Sequence, residues 1–307
     1  MMTAVILGSE GQDGRLLQGL LESRGYRVIG VDASSKPVDI TSEPEVIAFL
    51  RDTRPNEVYH LAAIHHSAEA APDTAFRMAR PACEVNLLSL VYCLEGIRQA
   101  SPSTRLFYAA SSHVFGEAAA EVQDESTPLK PDSIYGLTKA GGVLACRMYR
   151  QSHRVFASTG ILYNHESHLR PNGFLSKKIV RGAVEIRAGL RKSLALGSLS
   201  AIEDWGYAPD YVEAMHRILA HGTADDFVVA TGEGHTVRDF VRIAFELVGL
   251  DWARYVIEDR SIPLRKSSGR IGNPAKLVRE TGWRPTVDFE QMVRRLIEAE
   301  EQACLVS

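Results

Sequence analysis

The first half of the chain alternates short apolar runs with stretches of helical periodicity. Thr3 to Leu7 reads as a strand, Gly14 to Gly25 repeats its leucines at helical spacing, and Tyr26 to Val31 reads as a second strand. This is a β-α-β opening. Helices expected at Glu43 to Asp52 and Pro81 to Ala100 alternate with strands at Glu57 to Leu61 and Arg105 to Ala109. Pro81 suits a first helical position, where its missing N–H has no partner to lose. A helix near Tyr135 then leads to a strand at Arg154 to Leu162. Such alternation predicts an α/β fold with a Rossmann-like, doubly wound parallel sheet.

The second half reads differently. A polar stretch with proline and arginine at His165 to Asn172 precedes short strands scattered between helices, which suggests a smaller mixed α/β substrate-binding domain. Asp210 to His221 reads as a helix and Asp226 to Thr231 as a buried strand, so the chain is expected to return to its first domain. The expected division is a dinucleotide-binding domain at 1–164 with 205–232 returning to it, and a substrate-binding domain at 165–204 and 233–307. No internal repeat or low-complexity linker is visible.

Composition narrows the partners. At 307 residues and 45% hydrophobic, the chain can bury a core without staples. A net charge of −3 argues against a broad nucleic-acid or membrane surface and leaves anionic small molecules open. Cys83, Cys93, Cys146 and Cys304 lack metal-ligand spacing and read as reduced, mostly buried thiols, so no metal site is expected. The amino terminus runs straight into a strand rather than a leader pattern, and no stretch is apolar enough to span a bilayer. The expected location is cytoplasmic.

Gly8, Gly11 and Gly14 form G-x-x-G-x-x-G between the first strand and the first helix. Glycines there allow a tight turn and close approach to a pyrophosphate, while the helix amino terminus contributes partial positive charge. Asp32 closes the second strand about 20 residues later, where a carboxylate can accept from the ribose hydroxyls of NAD and repel a 2′-phosphate. A solvated turn residue is the plain alternative. Ser34, Ser35 and Lys36 follow directly and keep NADP open. Asp39 and Ile40, after an expected short strand, stand where an adenine would border them; an ordinary turn Asp fits equally well.

Tyr135 and Lys139 share one helix face in Y-x-x-x-K. A nearby ammonium favours phenolate, a usable base towards a sugar hydroxyl. Ser111 and Ser112 follow the apolar strand at the sheet's expected carboxyl edge, where open α/β folds bind ligands. Serine, tyrosine and lysine thus occur in the order needed for nicotinamide-dependent alcohol oxidation.

With HLAA at His60 to Ala63 and Asn86 in the long helix, these features resemble the extended short-chain dehydrogenase/reductase superfamily, and within it the GDP-mannose 4,6-dehydratases. The likeness covers nearly the whole chain: GSEGQDG (Gly8 to Gly14), YGLTK (Tyr135 to Lys139), GILYNHES (Gly160 to Ser167), FLSKKI (Phe174 to Ile179), LALGSL (Leu194 to Leu199), DWGYAPDYVEAM (Asp204 to Met215) and ATGEGHTVRDFV (Ala230 to Val241). It implies C4 oxidation of a nucleotide-linked sugar, loss of the C6 hydroxyl, and return of hydride to C6. It also implies roles: Ser111 holds the hydroxyl, Tyr135 is the base, and Lys139 orients tyrosine and cofactor ribose. Gln12 and Asp13 in the glycine loop, with Leu61, Ala62 and Ala63 in HLAA, fall to the cofactor; Asn164 and Lys178 match the substrate pocket. For these last two, a turn asparagine and a solvated helix lysine are the alternatives.

Three departures shape the expectation. His113 stands where the family carries a catalytic glutamate, and imidazole can act as acid or base near neutral pH. Glu203 stands where the family has an arginine near the diphosphate, which leaves Arg170, Arg260, Arg265 and Arg270 as candidate cations. The stretch from Val31 to Asp39 is short and acidic where the family carries an arginine-bearing loop involved in NADP binding and tetramer contacts, and this departure from the resemblance implies NAD and a homodimer. The leading reading is a GDP-hexose 4,6-dehydratase. A 4-epimerase, 4-reductase or 4-dehydrogenase, and a non-catalytic dinucleotide-binding regulatory protein, are the alternatives.

Overall fold

The computed structural model describes residues 1–33, 37–65, 77–117, 121–259, 261–262 and 270–306. The strands are β1 (Thr3–Leu7), β2 (Arg27–Val31), β3 (Glu57–His60), β4 (Arg105–Ser111), β5 (Val122–Gln123), β6 (Ala157–Leu162), β7 (Asn164–Glu166), β8 (Leu194–Leu196), β9 (Ile202–Glu203), β10 (Trp205–Tyr207), β11 (Asp226–Val229), β12 (His235–Thr236), β13 (Val256–Glu258) and β14 (Ile271–Gly272). The helices are α1 (Gln12–Ser23), α2 (Glu43–Thr53), α3 (Ala79–Cys83), α4 (Ser89–Ala100), α5 (Ile134–His153), α6 (Leu175–Arg187), α7 (Ala208–Ala220), α8 (Val237–Leu247), α9 (Ala275–Thr281) and α10 (Phe289–Val306). A π-helical turn, Glu84–Leu88, joins α3 to α4.

Among the described residues the main sheet has six parallel strands in the order β11-β6-β4-β3-β1-β2. Alternate side chains of each strand leave on opposite faces. Val5, Leu7, Val58 and Tyr108 enter one apolar cluster with residues of α2, α4 and α5, and Ala4, Ile6, Tyr59 and Phe107 enter another with residues of α1 and α7. This is the doubly wound α/β fold that the hydrophobic alternation predicts. A third cluster joins α6, α8 and α10, with Trp205 stacked on Phe289.

Several local expectations shift. No strand lies among the described residues between Val31 and Asp39; Asp39 instead starts a turn, accepting from the Thr41 N–H and hydroxyl at 3.0 and 2.7 Å. Helix α5 runs on to His153 and stops where Arg154 turns left-handed (φ +55°), so β6 begins at Ala157 rather than at Arg154. Pro81 is the third residue of α3, still within the first turn where no N–H partner is lost. Cys93 and Cys146 are buried, whereas Cys83 and Cys304 are only half-buried.

Two long-range devices join the segments around the third cluster, called the cap below, to the sheet. Strands β7 and β10 pair in parallel, setting Asn164 beside Trp205 and His165 beside Gly206. Asp204, wholly buried, accepts from Thr231 N (2.9 Å) and Oγ1 (2.7 Å), Gly232 N (3.0 Å) and Gly272 N (3.3 Å). Its carboxylate therefore fixes the end of β11 and β14 against β10.

Candidate active site

The carboxyl edge of the sheet opens onto a cavity of about 380 Å³, walled on the other side by residues from 162 to 205. That volume lies in the range of small-molecule pockets. No helix among the described residues is long and apolar enough to cross a membrane, and no cluster of metal-ligating side chains occurs among them.

Gly8 has φ +88°, and a Cβ there would lie 2.7 Å from Ala62 N. At Gly14 a Cβ would lie 2.2 Å from Gly8 O. Neither position tolerates a side chain, so the loop packs flat against the backbone of HLAA and leads into α1, with Gly11 as its N-cap. This turn, with glycine at the two positions where a Cβ would collide and a helix amino terminus behind it, fits a dinucleotide pyrophosphate. Asp32, at the carboxyl end of β2, accepts from the Glu10 N–H at 3.3 Å, which places two acidic residues together beside the loop. Leu61 and Ala63 line the cavity, while Ala62 lies beneath Gly8. Ile40 packs on the core near α2. Ser34, Ser35 and Lys36 lie outside the described residues.

Gln12 and Asp13, in the first turn of α1, are engaged in a clasp across the cavity. Gln12 Nε2 donates to His165 O (3.0 Å) and to Asp13 Oδ1 (3.1 Å), and Ser167 Oγ donates to Gln12 Oε1 (2.9 Å). His165 meets Tyr163 O through Nδ1 (2.6 Å) and Asp13 Oδ2 through Nε2 (2.9 Å). Both partners are acceptors, so both ring nitrogens carry hydrogen and the imidazole is cationic. Burial works against that charge, but Asp13 outweighs it and raises the imidazole above its ordinary value. Burial likewise opposes the Asp13 carboxylate, yet His165 holds it below the usual range. The ring of His165 stacks on Tyr211 at 4.6 Å. His165 was not singled out in the sequence, although NHES was; its signal is a histidine three residues beyond a buried parallel strand.

At the reacting end, Ser111 closes β4 and accepts from the His113 N–H at 3.4 Å. Ser133 caps α5 by accepting from the Gly136 N–H at 3.1 Å, and this first turn delivers Tyr135 to the cavity. Lys139, one turn further, is buried; its ammonium donates to Ala109 O (2.7 Å) and lies 5.8 Å from the centre of the Tyr135 ring. Burial pushes Lys139 down to about 7, with Asp13 pulling the other way. The His113 ring stands edge-on to Tyr135 at 5.6 Å. Ser111, His113, Tyr135 and Lys139 therefore share one cavity wall.

His65, which sequence spacing did not mark, joins them. Its ring is edge-on to Tyr135 at 4.6 Å, 6.2 Å from His113, and stacked on Phe174 at 5.4 Å. The available signal was its place just beyond HLAA, at the carboxyl edge of a parallel strand.

Asn164 also lines the cavity and donates to Glu203 Oε2 at 3.0 Å, so this carboxylate is bound by the residue expected to meet substrate. Lys178, on α6, is not brought to the cavity wall; Leu175 and Ser176 of the same helix are. Of the candidate cations, Arg170 pairs with Glu166 at 3.0 Å and stacks on Phe174, Arg270 lines the cavity at 5% exposure, and Arg260 and Arg265 lie outside the described residues.

Comparison with known proteins gives this geometry its context. The family model for GDP-mannose 4,6 dehydratase matches residues 5–296. The chain belongs to this family. GDP-mannose 4,6 dehydratase 2 of Arabidopsis thaliana is 33% identical over 325 residues, covering 96% of this chain and 86% of that protein. Among solved structures, the NADPH complex of RMD from Pseudomonas aeruginosa matches with a TM-score of 0.86 at 20% identity, over 99% of this chain and 100% of that one, a likeness of fold alone. The NAD complex of the UDP-glucose 4-epimerase of Thermus thermophilus matches with a TM-score of 0.80 at 25% identity, over 98% and 100%. The family and its curated relatives are dehydratases, and the same fold also carries a 4-epimerase.

Proposed function

We propose that this member of the GDP-mannose 4,6 dehydratase family oxidises C4 of a GDP-hexose with bound NAD and carries it through 4,6-dehydration. The observation that supports this most is the convergence of Tyr135, Lys139, Ser111 and His113 on one cavity at the sheet's carboxyl edge. A bound nicotinamide supplies the redox chemistry, accepting the C4 hydrogen with its electron pair and donating it back at C6. Tyr135 takes the C4 hydroxyl proton, Ser111 holds that hydroxyl, and Lys139 favours the phenolate. The new ketone acidifies C5–H, and His113 is placed to move that proton.

NAD rather than NADP is supported by Asp32, whose carboxylate at the end of β2 would repel a 2′-phosphate. Gly8, Gly11, Gln12, Asp13 and Gly14 are assigned to the pyrophosphate end of the cofactor. Asn164 and Arg270 are assigned to the nucleotide sugar. The same reading assigns 1–164 and 205–232 to the cofactor and 165–204 and 233–307 to the substrate.

A homodimer fits the surface of the paired helices α4 and α5. Leu137, Leu144 and Met148 fall on one face of α5 at 56, 55 and 51% exposure, with Leu88 (39%) at the head of α4. A cytoplasmic location completes the reading and draws on the buried, reduced thiols of Cys93 and Cys146.

A 4-epimerase is the second reading, favoured by the imidazole at His113. Incubation with GDP-mannose and catalytic NAD separates the two. A 4-keto-6-deoxy product is expected; recovery of unchanged or C4-inverted sugar would refute dehydration.

A further inference from the structure

Expelling a sugar hydroxyl after C4 oxidation requires two proton transfers, one from C5 and one to the departing oxygen. Hydroxide is a poor leaving group, so the second needs an acid beside C6. His113 accounts for one of these transfers. A second imidazole, His65, lines the same cavity.

The backbone leading into His65 is tied down on one side. Ile64 N donates to Asn86 Oδ1 at 2.7 Å, and Asn86 Nδ2 donates to Ile64 O and to Thr138 Oγ1, each at 3.1 Å. Thr138 Oγ1 in turn donates to Tyr135 O at 2.9 Å. One buried amide, inside the π-helical turn, therefore ties the backbone next to His65 to the helix turn that bears Tyr135. Phe174, stacked on the His65 ring, comes from the cap and carries the Arg170 guanidinium 3.9 Å above its own ring. His65 is thus held between the base of the first step and the cap.

We propose that His65 is the acid that protonates the leaving C6 oxygen, with His113 as the base at C5. The inference rests on the 4,6-dehydratase reading. In the first step Tyr135 takes the C4 hydroxyl proton as the C4 hydrogen departs with its electron pair to the nicotinamide, and C4 becomes a ketone. Neutral His113 then removes the C5 proton. The C5–H electron pair forms the C5=C6 bond, and the C6–O bond breaks with its pair on oxygen. That oxygen takes a proton from the His65 imidazolium and leaves as water. C6 regains the hydrogen given up by C4, and C5 takes its proton back from His113. His65 recovers its proton from Tyr135, its ring neighbour. C4 is oxidised, C6 is reduced, one water is released, and every protein group returns to its starting state.

The test is single turnover of GDP-mannose in D₂O by the NAD-loaded protein and its His65→Phe variant, which keeps the ring contacts and loses the proton. The variant should still build up reduced-nicotinamide absorbance and return substrate deuterated at C5, while release of 4-keto-6-deoxy product falls about 10²-fold or more. His65→Gln should behave alike, and retained cofactor and an unchanged melting temperature establish that both variants fold. The 6-deoxy-6-fluoro analogue of GDP-mannose carries a leaving group that needs no proton, and should bring the variants back to within a few-fold of wild type. Product release within about twofold of wild type from the natural substrate would overturn the assignment. So would loss of the reduced-nicotinamide signal, or a defect that persists with the fluoro analogue. Failure of the wild-type protein itself to form 4-keto-6-deoxy sugar would instead overturn the dehydratase reading, and this inference with it.

Discussion

The two edges of the main sheet each set tyrosines beside a buried charge, with opposite consequences. At the carboxyl edge Tyr135 lies beside the Lys139 ammonium, an arrangement that favours phenolate. At the amino edge Tyr59 donates to Glu57 at 2.8 Å and Tyr26 to the same carboxylate at 3.3 Å. Burial and the Glu57 charge push Tyr26 up to about 12 and Tyr59 well above its ordinary value. Burial also raises Glu57, against the pull of the two hydroxyls. The residue type is the same; the sign of its neighbour suits one tyrosine to the role of base proposed for it and makes the others fixed donors.

The largest effect expected from this contrast is at Tyr135. Tyr135→Phe should lower C4 oxidation by about 10³-fold, the scale of a lost general base, with cofactor binding and thermal stability retained. Activity within tenfold of wild type would break the comparison. Tyr59→Phe should do the reverse: turnover stays at the wild-type level, while urea unfolding registers a loss of about 1–3 kcal/mol because the buried Glu57 loses a donor. An unchanged unfolding midpoint would make that bond idle.

A smaller, pH-dependent effect sharpens the contrast further. The raised imidazole of His165 contributes stability that is complete below its ordinary 6.5 and is lost as pH rises through the folded value. Asp13→Asn should therefore lower the melting temperature most near pH 6, with the gap to wild type narrowing towards about pH 9, on the scale of about 1.4 kcal/mol for each tenfold change in proton affinity. Raised Glu57 contributes stability that is present below its ordinary 4.5 and lost as pH rises through its folded value, beyond which its contribution no longer changes with pH. Glu57→Gln should hold a nearly constant gap over that same range. Parallel curves for the two variants would contradict the assignment of a cationic His165.

What the sequence made legible follows from range. Strands such as β1 and β4, and the pairing of Tyr135 with Lys139, rest on periodicities of a few residues, and they appear nearly as written. Gly14 was readable because its reason is local, a loop pressed on its own backbone at Gly8 and Ser9, and Gly8 because its left-handed backbone is local too, although the contact it makes room for, Ala62, is long-range. His165 escaped because its partner, Asp13, lies 152 positions away, and only the parallel pairing of β7 with β10 fixes the segment that carries it. His65 escaped because the backbone before it is held by Asn86, which lies in a π-helical turn that no hydrophobic pattern announces. Lys178 was matched by motif alone, and the helical phase of α6 gives the cavity Leu175 and Ser176 instead. Glu203 looked like an unmatched charge in sequence; in the fold it accepts from Asn164.

The most direct measurement of the central claim uses GDP-mannose carrying deuterium at C4. With NAD bound and Tyr135 as base, the label should appear in the C6 methyl group of a 4-keto-6-deoxy product after a single turnover. Label retained at C4 of an epimer, or released in reduced cofactor, would contradict it.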